Sequence, residues 1–225
     1  MKSKNPPRRI LIVDDHPMMR NGLAQLIDHE PDLKVGAEAD SASQAVAAVE
    51  KQKFDLALLD ISLPDKNGLE LIKDLRVLRP ELPLLVVSMH DEMVYAERVL
   101  RAGARGYIMK QEGGQNFLQA IRQVLDGQIF VSDKMSARIL ETFSARQNGN
   151  SISPVRRLSD REFEVFQLVG QGIINRDIAE RLHLSIRTIE VHPVNIKEKL
   201  HLQTAMELVR YATRWMDAHG QNLPD

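Results

Sequence analysis

The sequence predicts an α/β fold, a doubly wound parallel sheet of five strands, followed by a smaller all-α helix-turn-helix domain. Three observations carry this expectation. Strand-like and helix-like stretches alternate five times between Arg9 and Gly127, and right-handed crossovers turn such alternation into a parallel sheet with helices on both faces. The strand-like runs are short and almost wholly apolar, as strands buried on both faces are. From Leu158 onward no strand signal remains, and short capped helices follow one another across tight turns.

The elements follow in order. Arg9–Val13 is a β-type run ending in Asp14-Asp15, and Pro17 suits the first turn of a helix. Leu23, Leu26 and Ile27 give that helix one buried stripe. Leu33–Ala39 is a second strand, and alanine-rich Ala42–Glu50, with Val46 and Val49, is a helix. Leu56–Leu59 is a third apolar run that ends on Asp60, with Ile61-Ser62-Leu63-Pro64 behind it. Asn67-Gly68 marks a turn into a helix striped by Leu69, Leu71, Ile72, Leu75 and Leu78. Leu84–Val87 is a fourth strand ending on Ser88; Glu92–Ala102 is a helix that stops at Gly103. Arg105–Met109 is a fifth strand ending on Lys110, and Phe117, Leu118, Ile121, Val124 and Leu125 stripe a helix that stops at Gly127.

Met135, Ile139, Leu140 and Phe143 then suggest one more helix, and 144–154 is Ser/Asn/Gly-rich and reads as a linker. Ser159-Asp160-Arg161-Glu162 is a capping box that Leu158 and Phe163 are placed to staple. Asn175 is expected to cap a short helix through Leu182, His183-Leu184 to turn, and Ser185 to cap the next helix with Thr188 three residues on. Glu207–Met216 is a last helix that can pack behind these two. The predicted domains are 8–128, a helix and linker over 129–154, and 155–220.

Composition narrows the chemistry. The 225 residues contain no cysteine, which excludes disulfides, thiolate metal sites and cysteine nucleophiles. No apolar run approaches membrane-spanning length and residues 1–7 hold no apolar signal segment, so no membrane association and a cytoplasmic location are expected. A net charge of −1 supplies no basic field over the whole chain. His16 reads as a loop residue, His192 as a helix-packing residue, and Met18 and Met19 as core or partner-surface residues. An acid at a strand exit is either a site residue or the cap of the next turn. Asp14, Asp15, Asp60, Ser88 and Lys110 all fall at strand exits, however, and so on one rim, where open α/β sheets bind ligands.

The first half resembles the receiver domain of two-component response regulators. The residues that carry this are Asp14-Asp15, Asp60 with Leu63-Pro64, Ser88, and Ala102-Gly103-Ala104-Arg105-Gly106-Tyr107 with Lys110. The second half is similar to the LuxR/FixJ (NarL-type) helix-turn-helix, from Leu158–Glu162 through Asn175-Arg176-Asp177-Ile178-Ala179, Leu184-Ser185, Thr188-Ile189, His192 and Asn195-Ile196 to Lys199-Leu200. The resemblance implies strand order 2-1-3-4-5 and a phosphoacceptor at Asp60, charged by a sensor histidine kinase. It implies Mg²⁺ held by Asp15, Asp60 and the Ser62 backbone carbonyl, with Asp14 acting through water. Lys110 and Ser88 would meet the phosphoryl oxygens, and Tyr107 would change rotamer as Ser88 moves. The implied output is phosphorylation-dependent dimerisation and binding to paired half-sites in double-stranded promoter DNA, regulating transcription. Catalysis would extend only to gaining and losing the chain's own phosphoryl group.

Arg176, Arg187, Thr188, Glu190, Val191, Asn195, Lys197 and Lys199 are the candidate DNA contacts, with Arg176, Arg187, Lys197 and Lys199 as a possible basic face. This half departs from its pattern. Residues 155–225 carry ten Lys/Arg and ten Asp/Glu, although phosphate neutralisation supplies most non-specific DNA affinity. Glu190 stands where the family usually carries a basic residue, Pro193 and Val194 where polar or basic side chains are common, and Ala205 where arginine is common. Pro193 lies inside a helix, removes an amide donor and crowds the Ile189 carbonyl, so a kink or a break near His192 is expected. The alternative output is a phosphorylation-controlled interaction protein whose helix-turn-helix has weakened or lost its DNA binding.

Overall fold

The computed structural model describes residues 6–147, 154–182 and 184–218. Most of the predicted linker, His183 and the chain beyond 218 therefore lie outside the described residues. The chain forms two compact units, Met1–Arg138 and Ile139–Asp225.

The first unit holds β1 (Arg8–Val13), β2 (Leu33–Ala39), β3 (Leu56–Leu59), β4 (Leu84–Ser88) and β5 (Gly106–Met109). They form one sheet in the order β2-β1-β3-β4-β5, every pair parallel. The crossovers are α1 (Pro17–Asp28), α2 (Ala42–Lys51), α3 (Gly68–Leu78) and α4 (Glu92–Ala102); α5 (Gly114–Leu125) follows β5. One core joins Ile10, Ile12, Leu56, Leu58, Leu85, Val87 and Ile108 to Leu23 and Ile27 of α1 and to Phe117, Ile121 and Val124 of α5. The alternate residues Leu11, Val13, Ala57, Leu59 and Val86 point to the other face and are buried as deeply. Burial on both faces is why these runs are apolar throughout rather than alternating.

Local chemistry sets the helix boundaries. Asn67 and Asp91 cap α3 and α4 through side-chain bonds from the Leu69 and Met93 amides, and Gly103 ends α4 in the left-handed region at φ 110°. Gly68 is required for a different reason. A β-carbon there would collide with the Asp60 carbonyl oxygen and the Ile61 Cα, so α3 can start close under the exit of β3.

The segment after α5 belongs to this unit. Phe130 pairs with the edge of β5: its amide donates to the Arg105 carbonyl at 3.0 Å, and its carbonyl accepts from the Tyr107 amide at 2.9 Å. The Ser132 amide donates to the Glu92 carboxylate at 2.8 Å. The Ser132 hydroxyl accepts from the Met135 amide, opening α6 (Asp133–Gln147). Met135 is buried. The sequence divides the chain at 128, whereas the compact unit runs ten residues further, to Arg138.

The second unit holds a 3₁₀ turn (Pro154–Arg157), α7 (Asp160–Gly170), α8 (Asn175–Arg181), α9 (Ile186–Leu200) and α10 (Ala205–Ala218). The capping box forms in both directions, between Ser159 and Glu162. Trp215 of α10 meets Phe163 and Phe166 of α7 edge-on at 5.6 and 5.7 Å, so the last helix packs as expected. Two expectations need correction. Asn175 is the first residue of α8 and Ile174 occupies the cap position, with no side-chain bond. There is no break near His192: α9 is continuous through Pro193. Ile189 and Ile196, both fully buried, anchor the helix to the same core on either side of the proline. That packing outweighs one lost amide donor.

Candidate functional site

The parallel topology brings the strand exits together. Asp14 follows β1, Asp60 follows β3, Ser88 ends β4 and Lys110 follows β5. Each exit is fixed by a ladder-type bond: the Asp14 amide donates to the Ala39 carbonyl, Asp60 to Val13, and Lys110 to Ser88. Asp14 and Asp60 are about as inaccessible as the core, at 1% and 2% exposure. The Lys110 ammonium bridges them, 2.6 Å from Asp14 Oδ2 and 2.8 Å from Asp60 Oδ2. The Ser62 amide donates to Asp60 Oδ1 at 3.2 Å.

Burial shapes the charges. It pushes the Asp60 carboxyl above its ordinary range, and the bond to Lys110 only partly offsets this. Burial also opposes the Lys110 ammonium, but its bonds to Asp14 and Asp60 outweigh that and hold its pKa up. One lysine among three acids leaves the rim short of positive charge. Asp14, Asp15, Asp60 and His16 each offer a ligand atom, all within 4.8 Å of one another. Asp14 Oδ2 and Asp15 Oδ1 are buried, and their partners are the ion pairs to Lys110 and His16, at 2.6 and 2.7 Å. Carboxylate oxygens clustered in excess of the nearby cations are the donor set of a hard divalent cation, and the residues present fit such an ion.

Beside the acids, Ser88 is fully buried, and its Oγ accepts from the His90 amide at 3.2 Å. Tyr107 is also fully buried, with its hydroxyl donating to the His90 carbonyl at 2.8 Å. His90 stacks on Tyr95 with ring centroids 4.6 Å apart, and its Nε2 lies 3.1 Å from Ser62 Oγ. Burial, then the nearby Lys110, keeps this imidazole below its ordinary pKa. His90 thus ties the loop after β3 to the loop after β4. Its only mark in the sequence is its place two residues beyond Ser88. His16 lies in the loop before α1, as expected, at the helix's N-cap position, and it also joins the acid cluster. Its adjacency to Asp14-Asp15 was the available signal.

In the helical unit, α8 and α9 form the predicted pair across the turn. Arg176, Arg187, Thr188, Glu190 and Val191 are exposed, and Asn195 and Lys197 are half-buried. The Thr188 amide and hydroxyl are engaged by Ser185, at 3.1 and 2.8 Å. Lys199 is not free to join a basic face: its ammonium contacts both Glu162 oxygens, at 2.6 and 2.8 Å, and locks α9 to α7.

Residues 10–122 match the response regulator receiver domain family, and 156–212 match the luxR family of bacterial regulatory proteins. The oxygen regulatory protein NreC of Staphylococcus haemolyticus is 34% identical over 210 residues, 92% of this chain and 97% of that protein. The chain is a response regulator of the LuxR family. NreC of Staphylococcus aureus strain JH9 is 35% identical over the same shares of the two chains. RcsB of Salmonella enterica serovar Typhimurium, solved on promoter rprA with the phosphomimetic BeF3-, is 25% identical, with TM-score 0.64 over 92% of this chain and 99% of that one. A LuxR-family two-component response regulator from Aurantimonas sp. SI85-9A1 is 31% identical, with TM-score 0.57 over 62% of this chain and 99% of that one. The family places the strand-exit rim in the receiver domain of this response regulator, and α8–α9 in its DNA-binding domain.

Proposed function

We propose that Asp60 is the phosphoacceptor of this response regulator, and that its phosphorylation by a sensor histidine kinase controls dimerisation and binding to promoter half-sites. The observation that carries this is the bridge from Lys110 to Asp14 and Asp60 on a rim with too little positive charge. An ionised Asp60 oxygen attacks phosphorus as the bond to the kinase's histidine nitrogen breaks, and the departing nitrogen keeps the electron pair. Acetate takes that place when acetyl phosphate is the donor. Positioning and charge neutralisation are most of what such a transfer asks of a protein. Asp15, Asp60 and the Ser62 carbonyl would hold Mg²⁺, with Asp14 acting through water, and the ion would supply charge neutralisation at the phosphoryl oxygens. Lys110 leaves its carboxylate partners for the phosphoryl oxygens, and Ser88 turns its hydroxyl toward them. Tyr107, bonded to the loop after β4, adjusts with it. Beyond this self-phosphorylation and its slow reversal, the chain is no enzyme. A cytoplasmic location fits a DNA-binding regulator.

Asp60→Asn is expected to abolish labelling by acetyl phosphate with Mg²⁺. Retained acid-labile phosphate would overturn the assignment of Asp60. One observation favours a second reading, a phosphorylation-controlled interaction protein: the exposed side of α9 carries Glu190 and Glu198 against Arg187 alone. A mobility shift with the phosphorylated protein, failing on every duplex even at low salt, would select that reading.

A further inference from the structure

The outer side of α9 is defined by its inner side. Ile189, Ile196 and Leu200 are buried. At roughly 100° per residue, Arg187, Val191, Val194 and Glu198 fall together on the opposite side, with Glu190 along one edge. All five are exposed, and Val191 and Val194 at the centre are 53% and 49% exposed. Pro193 lies toward the inner flank and is half-buried, so the proline is not part of this face. Lys199 is turned toward Glu162.

A helix face entering the major groove reads guanine with arginine or lysine, adenine with asparagine or glutamine, and thymine through its C5-methyl group with apolar side chains. This face offers one cation, in its first turn, and a single amide, the half-buried Asn195, along the edge opposite Glu190. Two branched aliphatic side chains occupy the centre, and a carboxylate flanks them. Glu190 would repel a phosphate, but it can accept from the cytosine amino group on a base edge. We infer that Val191 and Val194 read thymine methyl groups, so that the half-sites of this regulator are specified by thymine-bearing steps in the major groove rather than by guanine. The inference rests on the DNA-binding reading of this unit. It assigns recognition to two side chains that make no phosphate contact, and so separates sequence preference from salt-dependent affinity.

The test uses the phosphorylated full-length protein. Duplexes are selected from a random pool, and each thymine of the enriched site is then replaced by deoxyuridine, which removes the methyl and keeps the pairing. A methyl buried against a valine is worth about 0.8 kcal/mol, so each read thymine should lose about four-fold in affinity on replacement. Val191→Ala or Val194→Ala should remove that sensitivity at one position each and leave the salt slope of binding unchanged. Both positions are exposed, so these variants are expected to fold normally, with circular dichroism as the check. An enriched site indifferent to deoxyuridine at every thymine, or one without thymine, overturns the inference and leaves DNA binding standing. Absence of any enriched sequence, with no mobility shift at low salt, overturns the DNA-binding reading and this inference with it. A partner helix laid on the valines is then the remaining occupant.

Discussion

Lys110 and Lys199 solve the same electrostatic problem in two surroundings. Lys110, with a side chain 6% exposed, bridges two carboxylates that are each 2% exposed. Lys199, 40% exposed, meets the single, nearly buried carboxylate of Glu162. The first pairing leaves an acidic remainder at a sheet rim, and that remainder can be switched. The second leaves none, since Glu162 also accepts from the Ser159 amide within the capping box. The two acids accordingly titrate in opposite directions. Burial pushes Asp60 up despite Lys110. Burial pushes Glu162 up too, but Lys199 and Ser159 outweigh it and hold the group below its ordinary 4.5. A raised acid weakens the folded state as pH climbs through its window. A lowered acid supports the folded state above its unfolded value and loses that support as pH falls through the folded one. One ion pair thus holds an acid that burial keeps raised, and the other holds an acid that its partners keep lowered.

The strongest way to break this contrast is Lys110→Met. It strips the buried acids of their cation, and breaking such a pair costs about 3–5 kcal/mol. Urea unfolding of the metal-free protein should reveal this loss, and labelling of Asp60 by acetyl phosphate should fall sharply. A variant as stable as the parent would mean that the acids relieve their repulsion by protonation alone.

Lys199→Met should cost less, about 1 kcal/mol or below, because water already screens the exposed ammonium. Its pH signature is the sharper readout. The Glu162 contribution is fully present above pH 4.5 and disappears as pH falls toward the depressed folded value. In the variant, acid unfolding of the helical unit should begin at higher pH, with a flatter approach to it. Labelling of Asp60 should be unaffected. A variant that changed labelling would show that the Lys199 and Glu162 pair is part of the switch.

The receiver half was legible because its chemistry sits at places the topology dictates. Each short apolar run ends where the sheet ends, so Asp14, Asp60, Ser88 and Lys110 could be placed on one rim from strand signals alone. The helical half resisted because its departures concern solvent-facing positions, where no pattern of burial fixes a role. Pro193 shows the limit of local rules. Its cost was counted, but the anchoring of Ile189 and Ile196 that keeps α9 continuous is a tertiary effect. Lys199 shows the same limit: its partner Glu162 lies 37 residues away in the chain. His90 was missed because a histidine inside a loop carries no periodicity, and its contact to Ser62 appears only when two strand exits meet. The run from Phe130 to Met135 falls beyond the domain boundary read at 128, because one bridge to a sheet edge leaves no repeating pattern to read.

That run also gives the smallest test, of how far the receiver's buried order reaches along the chain. Glu92 is the first residue of α4, 8% exposed, and its carboxylate holds the Ser132 amide at the start of α6. On the same edge Tyr107 is bonded through its amide to Phe130 and through its hydroxyl to the loop before α4. A displacement of that loop is therefore shared by both attachments of the segment leading into α6. Glu92→Ala removes one attachment and leaves a part-buried amide without its acceptor, a cost of about 1 kcal/mol. Amide exchange at Ser132 and Met135 should speed up about five-fold, while exchange in β1 and β3 and the labelling of Asp60 stay as they were. If exchange at Ser132 is unchanged, the Phe130 bridge alone sustains the docking. If exchange quickens in β3 as well, Glu92 supports the rim itself, and the boundary between switch and connector lies further along α6.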